Sequence, residues 1–347
     1  MQTAAYVNNG YLKHVTEEDA KSLDIINIAF GTLSGNKLNF DKPHLIDEID
    51  RIRRINPDIR IFLSIGGWGA GGFSTMAGSA DGIREFTQSC IDTVREYHLG
   101  GIDLDWEYPT FHSAGIDADP SDKENFTALL ASLRNALSEE FPDDYKMLTI
   151  AAGAGEYYVG AVQIEKITPL LDYISIMTYD MRGQNSPAGY HTALYQPENS
   201  RRVCSVDRAV KLFHDAGVPY EKIVIGAAFY SRKWTNIPDG GTNGLGQRCD
   251  DPEDKTSGLW GPGFGEISEK LENKNGYTLY RDEEANAPYL YNKEERIFLS
   301  YDDEISVRAK AEYAISKNLC GVMYWEHSCD HTRKLLRSLA EAAKGEK

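Results

Sequence analysis

The sequence predicts a (β/α)8 barrel with a small α+β insertion between its seventh and eighth strands. Three observations predict it. Short apolar runs rich in β-branched and aromatic residues recur eight times, helix-period segments lie between several of them, and the interval from the seventh run to the eighth is far too long for one crossover.

The eight runs are Thr3 to Val7, Ile25 to Phe30, Arg60 to Ile65, Gly101 to Trp106, Met147 to Ala152, Tyr173 to Thr178, Ile223 to Phe229 and Leu319 to Trp325. Among the intervening helices the clearest spans Ser121 to Phe141, where Ser121 and Glu124 have capping-box spacing ahead of Phe126, Leu129, Leu130, Leu133 and Leu137. A second has the apolar face Ile83, Phe86, Cys90, Val94 and Tyr97. Strands this apolar, alternating with helices, belong in a parallel sheet covered by helices, and eight of them favour closure into a barrel. Functional side chains are then expected at strand C-termini.

The long interval reads as loop in its first half, with Asp239-Gly240-Gly241, Gly244 and Gly261-Pro262-Gly263. Its second half turns β-like at Gly276 to Tyr280, Pro288 to Tyr291 and Arg296 to Leu299, before a helix signal over Asp303 to Lys317. The expected organisation is a barrel of residues 1–231 and 302–347 with an insertion of residues 232–301.

Across 347 residues, 37 Lys and Arg stand against 53 Asp and Glu, a net charge of −16. Such a chain repels phosphate backbones and anionic lipid, so neither nucleic acid nor membrane is an expected partner. The start shows no basic segment followed by an apolar run, so a signal peptide is absent or already removed. No stretch approaches the roughly 20 apolar residues that cross a bilayer. Five cysteines without CxxC spacing argue against a disulfide framework or structural zinc. His327, Cys329 and His331 alternate as metal ligands can, but no HExxH or carboxylate triad accompanies them, and a solvated loop is the expectation. Neither metal nor cofactor is expected.

The fourth run carries the chemistry. In Gly101-Ile102-Asp103-Leu104-Asp105-Trp106-Glu107 the alternation of a strand points Asp103, Asp105 and Glu107 one way, in steps of about 7 Å, while Ile102, Leu104 and Trp106 face the helices. Three stacked carboxylates cannot all ionise easily, so at least one should have a raised pKa, as a general acid near neutral pH requires. Acidic residues are common enough here for such spacing to arise by chance about once per sequence. A strand buried on both sides is what sets this instance apart.

Gly101 to Glu107 resembles the end of the D-G-x-D-x-D-x-E signature of glycoside hydrolase family 18, and Ser64-Ile65-Gly66-Gly67-Trp68 resembles that family's S-x-G-G motif. Met177-Thr178-Tyr179-Asp180 is similar to its M-x-Y-D, and Phe229-Tyr230-Ser231-Arg232 to its F-Y-G-R. Tyr301-Asp302-Asp303 and Trp325 complete a similarity running from Ala5 to Asp330. The resemblance implies a retaining, substrate-assisted chitinase, with chitin or chitooligosaccharide as partner, a monomer and a secreted enzyme, although the start of the sequence leaves a cytoplasmic one open. It makes Glu107 the proton donor, Asp105 the group orienting the substrate's acetamido, Asp103 its support and Tyr179 a donor to the acetamido oxygen. Tyr6 and Ser64 would support the aspartates. Asp180, Arg232, Phe30 and Met177 would line the sugar site, with Trp325 as its floor and Trp68 stacking on a further sugar.

The resemblance also admits a same-family enzyme that cuts N-glycan cores or bacterial wall glycan. A non-catalytic chitin-binding lectin on this barrel would typically lack the acid kept here as Glu107. Two positions depart from the motifs. The signature's first Asp is Gly100, about 23 Å from Glu107 along the strand, where loss should touch stability alone. Ser231 replaces a Gly and could shift the segment that carries Arg232.

Overall fold

The computed structural model describes residues 1–196 and 204–345. Eight strands form the barrel: β1 (Gln2–Asn8), β2 (Ile25–Ser34), β3 (Arg60–Gly66), β4 (Gly101–Asp105), β5 (Met147–Gly153), β6 (Tyr173–Met177), β7 (Ile223–Ala228) and β8 (Gly321–Trp325). Each pairs in parallel with the next, and β8 pairs with β1 to close the ring. Outward residues such as Ile61, Leu63, Ile102, Leu104, Leu148, Ile150, Ile174 and Ile176 are buried under the helices, where the main hydrophobic core lies. Inward residues build a second cluster around Tyr6, Phe62, Tyr173, Met177, Tyr179 and Met323.

The face from Ile83 to Val94 lies on helix Ala80–Glu96, with Tyr97 as its C-cap and Phe86, Cys90 and Val94 fully buried. The helix after β4, Asp122–Glu140, starts differently from the expected capping box. Ser121 is itself helical in φ and ψ and makes no side-chain cap bond. Its hydroxyl goes instead to Asp119, and the buried Asp122 carboxylate accepts from the amides of Thr110 and Asp119 and from the Ser74 hydroxyl. The Asp122 carboxylate thus ties the incoming loop to the start of the helix, and no hydroxyl cap forms.

Two further elements differ from expectation. β2 runs on to Ser34 and folds back as a hairpin onto Lys37–Asn39. The Gly-Pro-Gly stretch expected to be loop lies in a strand, Leu259–Gly263, at the edge of a five-stranded antiparallel sheet, where proline's missing N–H is tolerated. The other strands of that sheet are Tyr230–Trp234, Ile297–Ser300, Ala287–Asn292 and Tyr277–Asp282, in that spatial order.

The barrel and this sheet are joined by a buried ion pair. Asp302 follows the sheet's last strand and accepts from the Ala228 amide at the end of β7 and from Ser306, with Thr192 Oγ1 3.1 Å away. Lys310, wholly buried on helix Glu304–Ser316, pairs with Asp302 and donates to Thr192 Oγ1 at 2.6 Å. Lys310→Met should therefore strand a buried carboxylate and cost about 3–5 kcal/mol in a denaturant titration. A loss below about 1 kcal/mol would mean that the hydroxyl and amide donors suffice for Asp302.

Candidate active site

Register brings the carboxylates together. Ser64 on β3, Asp103 on β4 and Thr149 on β5 are direct neighbours across the sheet and share one inward layer. Asp103 is fully buried and accepts from Ser64 Oγ at 2.7 Å, Thr149 Oγ1 at 2.7 Å and, across the barrel, Tyr6 Oη at 2.9 Å. Burial still pushes its carboxyl above the usual range, with the three hydroxyls opposing.

Asp105 ends β4 one layer higher. It too is buried, and its Oδ1 has no hydrogen-bond partner among the described residues. Burial, then the neighbouring charges of Glu107 and Asp103, hold its carboxyl well above the normal value. Glu107 follows two residues on, 8% exposed at the barrel mouth. Its carboxyl is pushed up to about 7 by burial, against a hydrogen bond from Tyr108, with the Asp180 carboxylate adding to the rise. The segment is anchored from behind by Trp106, whose ring stacks on Phe73 at 5.3 Å and meets Phe126 edge-on at 5.5 Å.

The glycines after Ser64 make room for this column. A side chain at Gly66 would put its Cβ 2.0 Å from the Asp105 carbonyl, and one at Gly67 would run into the Phe30 ring. Both have positive φ, and the Gly67 amide donates to the Asp105 carbonyl at 2.8 Å.

The wall beside Glu107 comes from β6 and the antiparallel sheet. Tyr179 is buried, with its hydroxyl 3.7 Å from Met323 Sδ. Burial and the fields of Asp105 and Glu107 keep that hydroxyl protonated, hence a donor. Asp180 accepts from Tyr230 Oη at 2.7 Å and from Arg232 Nε at 2.6 Å, and a second Arg232 nitrogen closes a bidentate pair. Burial opposes its ionisation, yet the bonds and charge of Arg232, with the His191 ring alongside, hold its carboxyl far below the carboxylate range. Ser231, the departure from the F-Y-G-R pattern, leaves the strand regular: its hydroxyl donates to the Pro262 carbonyl at 2.8 Å, and Arg232 stays paired.

Trp325 closes the bottom of the mouth, stacked on Phe30 at 5.4 Å and tilted against Tyr6 at 5.8 Å, while Met177 packs in the same inner cluster. Trp68 stands away from these groups, 67% exposed, with its ring edge-on to Tyr108. Sequence reasoning missed Thr149, Tyr108, Tyr157, His191 and Trp260. Tyr108 directly follows Glu107 and touches the ring of Tyr157, and Trp260 stacks on Tyr230 at 4.3 Å with half its surface exposed. Only Tyr108 had a signal to find it, its place beside the acid. The segment expected to be a solvated loop is instead partly buried: His327 bonds to Tyr324 Oη at 2.8 Å and lies 3.5 Å from Asp19. Among the described residues no group of three side chains is set to hold a metal ion.

The model for glycosyl hydrolases family 18 matches residues 2–330. The chain belongs to that family. Family relatives include chitinase A1 of Niallia circulans, 37% identical over 85% of this chain and 44% of its own length. The putative chitinase 1 of Margaritifera margaritifera is 32% identical over 84% of this chain and 61% of its own. The chain thus spans about half the length of the curated relatives it matches. Among solved structures, a family 18 N-acetylglucosaminidase from Paenibacillus barengoltzii superposes with a TM-score of 0.92 at 44% identity, covering 98% of this chain and 99% of that one. Chitinase ChiW from Paenibacillus sp. str. FPU-7 gives 0.91 at 35% identity over 99% of this chain and 43% of its own.

Proposed function

We propose that the protein hydrolyses β-1,4-linked N-acetylglucosamine chains, chitin and its oligomers, with retention of configuration. The observation that carries this reading is the pair of buried carboxyls at the end of β4: Glu107, which burial pushes up to about 7, and Asp105 beside it with a buried acceptor oxygen left open. Glu107 donates its proton to the glycosidic oxygen as the bond to the anomeric carbon breaks. Asp105 Oδ1 accepts the acetamido N–H, which turns the carbonyl oxygen onto the anomeric carbon. The Tyr179 hydroxyl donates to that carbonyl oxygen and fixes the attack geometry. Family 18 departs from the two-carboxylate scheme, with the substrate's own acetamido as nucleophile. An oxazolinium ion results, and water, giving a proton to the Glu107 carboxylate, opens it from the opposite side. Asp103, with its three hydroxyl donors, sets the position and proton sharing of Asp105. Phe30, Met177 and Trp325 offer an apolar seat for the sugar, Asp180 and Arg232 bind its hydroxyls, and Trp68 stacks on a ring beyond the cleavage point.

Tyr179→Phe should lower kcat/KM about 10- to 1000-fold, the scale of one transition-state hydrogen bond. If circular dichroism showed an intact fold and kcat/KM were unchanged, Tyr179 would be a packing residue.

A second reading, removal of single N-acetylglucosamine units from chain ends, is favoured by the Paenibacillus barengoltzii relative, whose whole chain this one matches. Mass spectrometry of early products from chitin hexamer, an N-glycan and peptidoglycan separates the readings. Oligomers of several lengths from the hexamer support internal cleavage, monomer alone supports end-wise release, and products only from the other two glycans overturn the chitin assignment. Secretion and a monomeric state are part of the same proposal, tested by cell fractionation and by light scattering.

A further inference from the structure

Asp180 sits in the left-handed region, with φ +56°, a conformation uncommon outside glycine and asparagine and here braced by a neighbouring segment. The holding segment is His191-Thr192, which lies against the turn Thr178 to Met181. The Met181 amide donates to the His191 carbonyl at 3.1 Å, and Thr192 Oγ1 donates to the Thr178 carbonyl at 3.1 Å. The Asp180 amide points at His191 Nδ1, 3.3 Å away, and Asp180 Oδ1 lies 3.4 Å from the same nitrogen. Behind this layer, the His191 amide donates to Ser300 Oγ at 3.0 Å, and Thr192 is tied to the buried Lys310–Asp302 pair.

The choice of histidine calls for a reason. Its ring is wholly buried, edge-on to Tyr230 at 5.3 Å, and Nε2 has no partner among the described residues. A phenylalanine would fill this space without an orphaned polar atom, so packing alone does not select the residue. What histidine adds is Nδ1 as acceptor for the Asp180 amide, which places the ring proton on Nε2. The charged and titratable groups facing the ring are Asp180, Arg232, Asp302 and Tyr230. Burial, aided by the Arg232 charge, outweighs the Asp180 and Asp302 carboxylates and keeps the imidazole neutral.

We propose that His191 is a positioning residue: it fixes the left-handed turn that presents the Asp180 carboxylate and, through it, the Arg232 fork to the cleft. The effect on catalysis rests on the hydrolase reading above, whereas the effect on the turn does not. His191→Phe should reduce kcat/KM on chitooligosaccharides about 10- to 100-fold, as misplacement of a substrate-positioning group does. Its basic pH limb should also move to lower pH, because the Asp180 charge that helps keep Glu107 protonated is displaced. His191→Asn should recover most of the activity, since Asn Oδ1 can stand where Nδ1 stands and accept the same amide. Wild-type kinetics and an unshifted pH limb in His191→Phe would overturn the proposal, and so would equal impairment of the Phe and Asn variants. A substrate-free arm tests the turn alone. A crystal structure of His191→Phe should show Asp180 out of the left-handed region and its pair with Arg232 broken, and retention of both would overturn the proposal whatever the substrate. Failure of the wild-type protein to cut any chitooligosaccharide would remove the hydrolase reading and leave that structural arm decisive.

Discussion

Replacing Glu107 by Gln is expected to lower kcat on chitooligosaccharides by about 10²- to 10⁴-fold, the contribution of a positioned general acid. The amide keeps the shape of the carboxyl and removes the transferable proton, so calorimetry should still find oligosaccharide binding. Wild-type turnover in the variant would remove Glu107 from the acid role. In the unmodified protein the sign of the pH effect follows from the same group. Glu107 donates only when protonated, so kcat/KM should fall as pH rises through about 7. Because the Asp105 carboxyl is also held well above its normal value, by burial and in part by the Glu107 charge, the observed limb belongs to the pair as a macroscopic titration. A limb near the ordinary glutamate value would mean that burial does not act on Glu107 as the structure implies.

Fully deacetylated chitosan and cello-oligosaccharides should resist cleavage under conditions that consume chitin oligomers of equal length. All three present the same apolar ring faces to Trp325 and Trp68, so binding is allowed. Turnover is not, since only the acetylated sugar carries the attacking carbonyl and the N–H that Asp105 Oδ1 would accept. An oxazolinium ion shields one face of the anomeric carbon, so water enters from the other and the first products should be β-anomers. Proton NMR before mutarotation can read them. Initial α-anomers, or chitosan hydrolysis at a comparable rate, would show that a protein group does the attacking.

Much of this site was legible because its signals are local and repetitive. A strand alternates strictly, so D-x-D-x-E on an apolar run states that three carboxylates share a face before any contact is known. The eight runs were legible for the same reason. What was hidden depends on register and on distant loops. Thr149 reads as an ordinary strand residue until pairing sets it beside Asp103. His191 meets Asp180 only because the chain after β6 doubles back on itself. Leu259–Gly263 reads as a turn because glycine and proline are poor strand formers, and only an edge position beside Tyr230–Trp234 makes that composition acceptable. The capping box at Ser121 did not form because the amide and hydroxyl of Ser121 both donate to Asp119, and the Glu124 amide goes to the Ser121 carbonyl.

The antiparallel sheet has a property that bears on how such a protein can be altered. Trp234 on its outgoing strand and Phe298 on its returning strand are direct cross-strand partners, with their rings edge-on at 5.8 Å. The polypeptide therefore leaves the barrel and comes back through a doorway one strand spacing wide, about 5 Å. The chain beyond that doorway is nevertheless bound to the barrel: Phe264 and Ile267 pack in the main core, and the Phe264 amide donates to the Phe229 carbonyl at 2.8 Å. In engineering terms the sheet is a built-in wall and not an exchangeable part. Arg232 is itself the cross-strand partner of Trp260, so replacing residues 235–297 would disturb the strand that carries the Asp180 pairing.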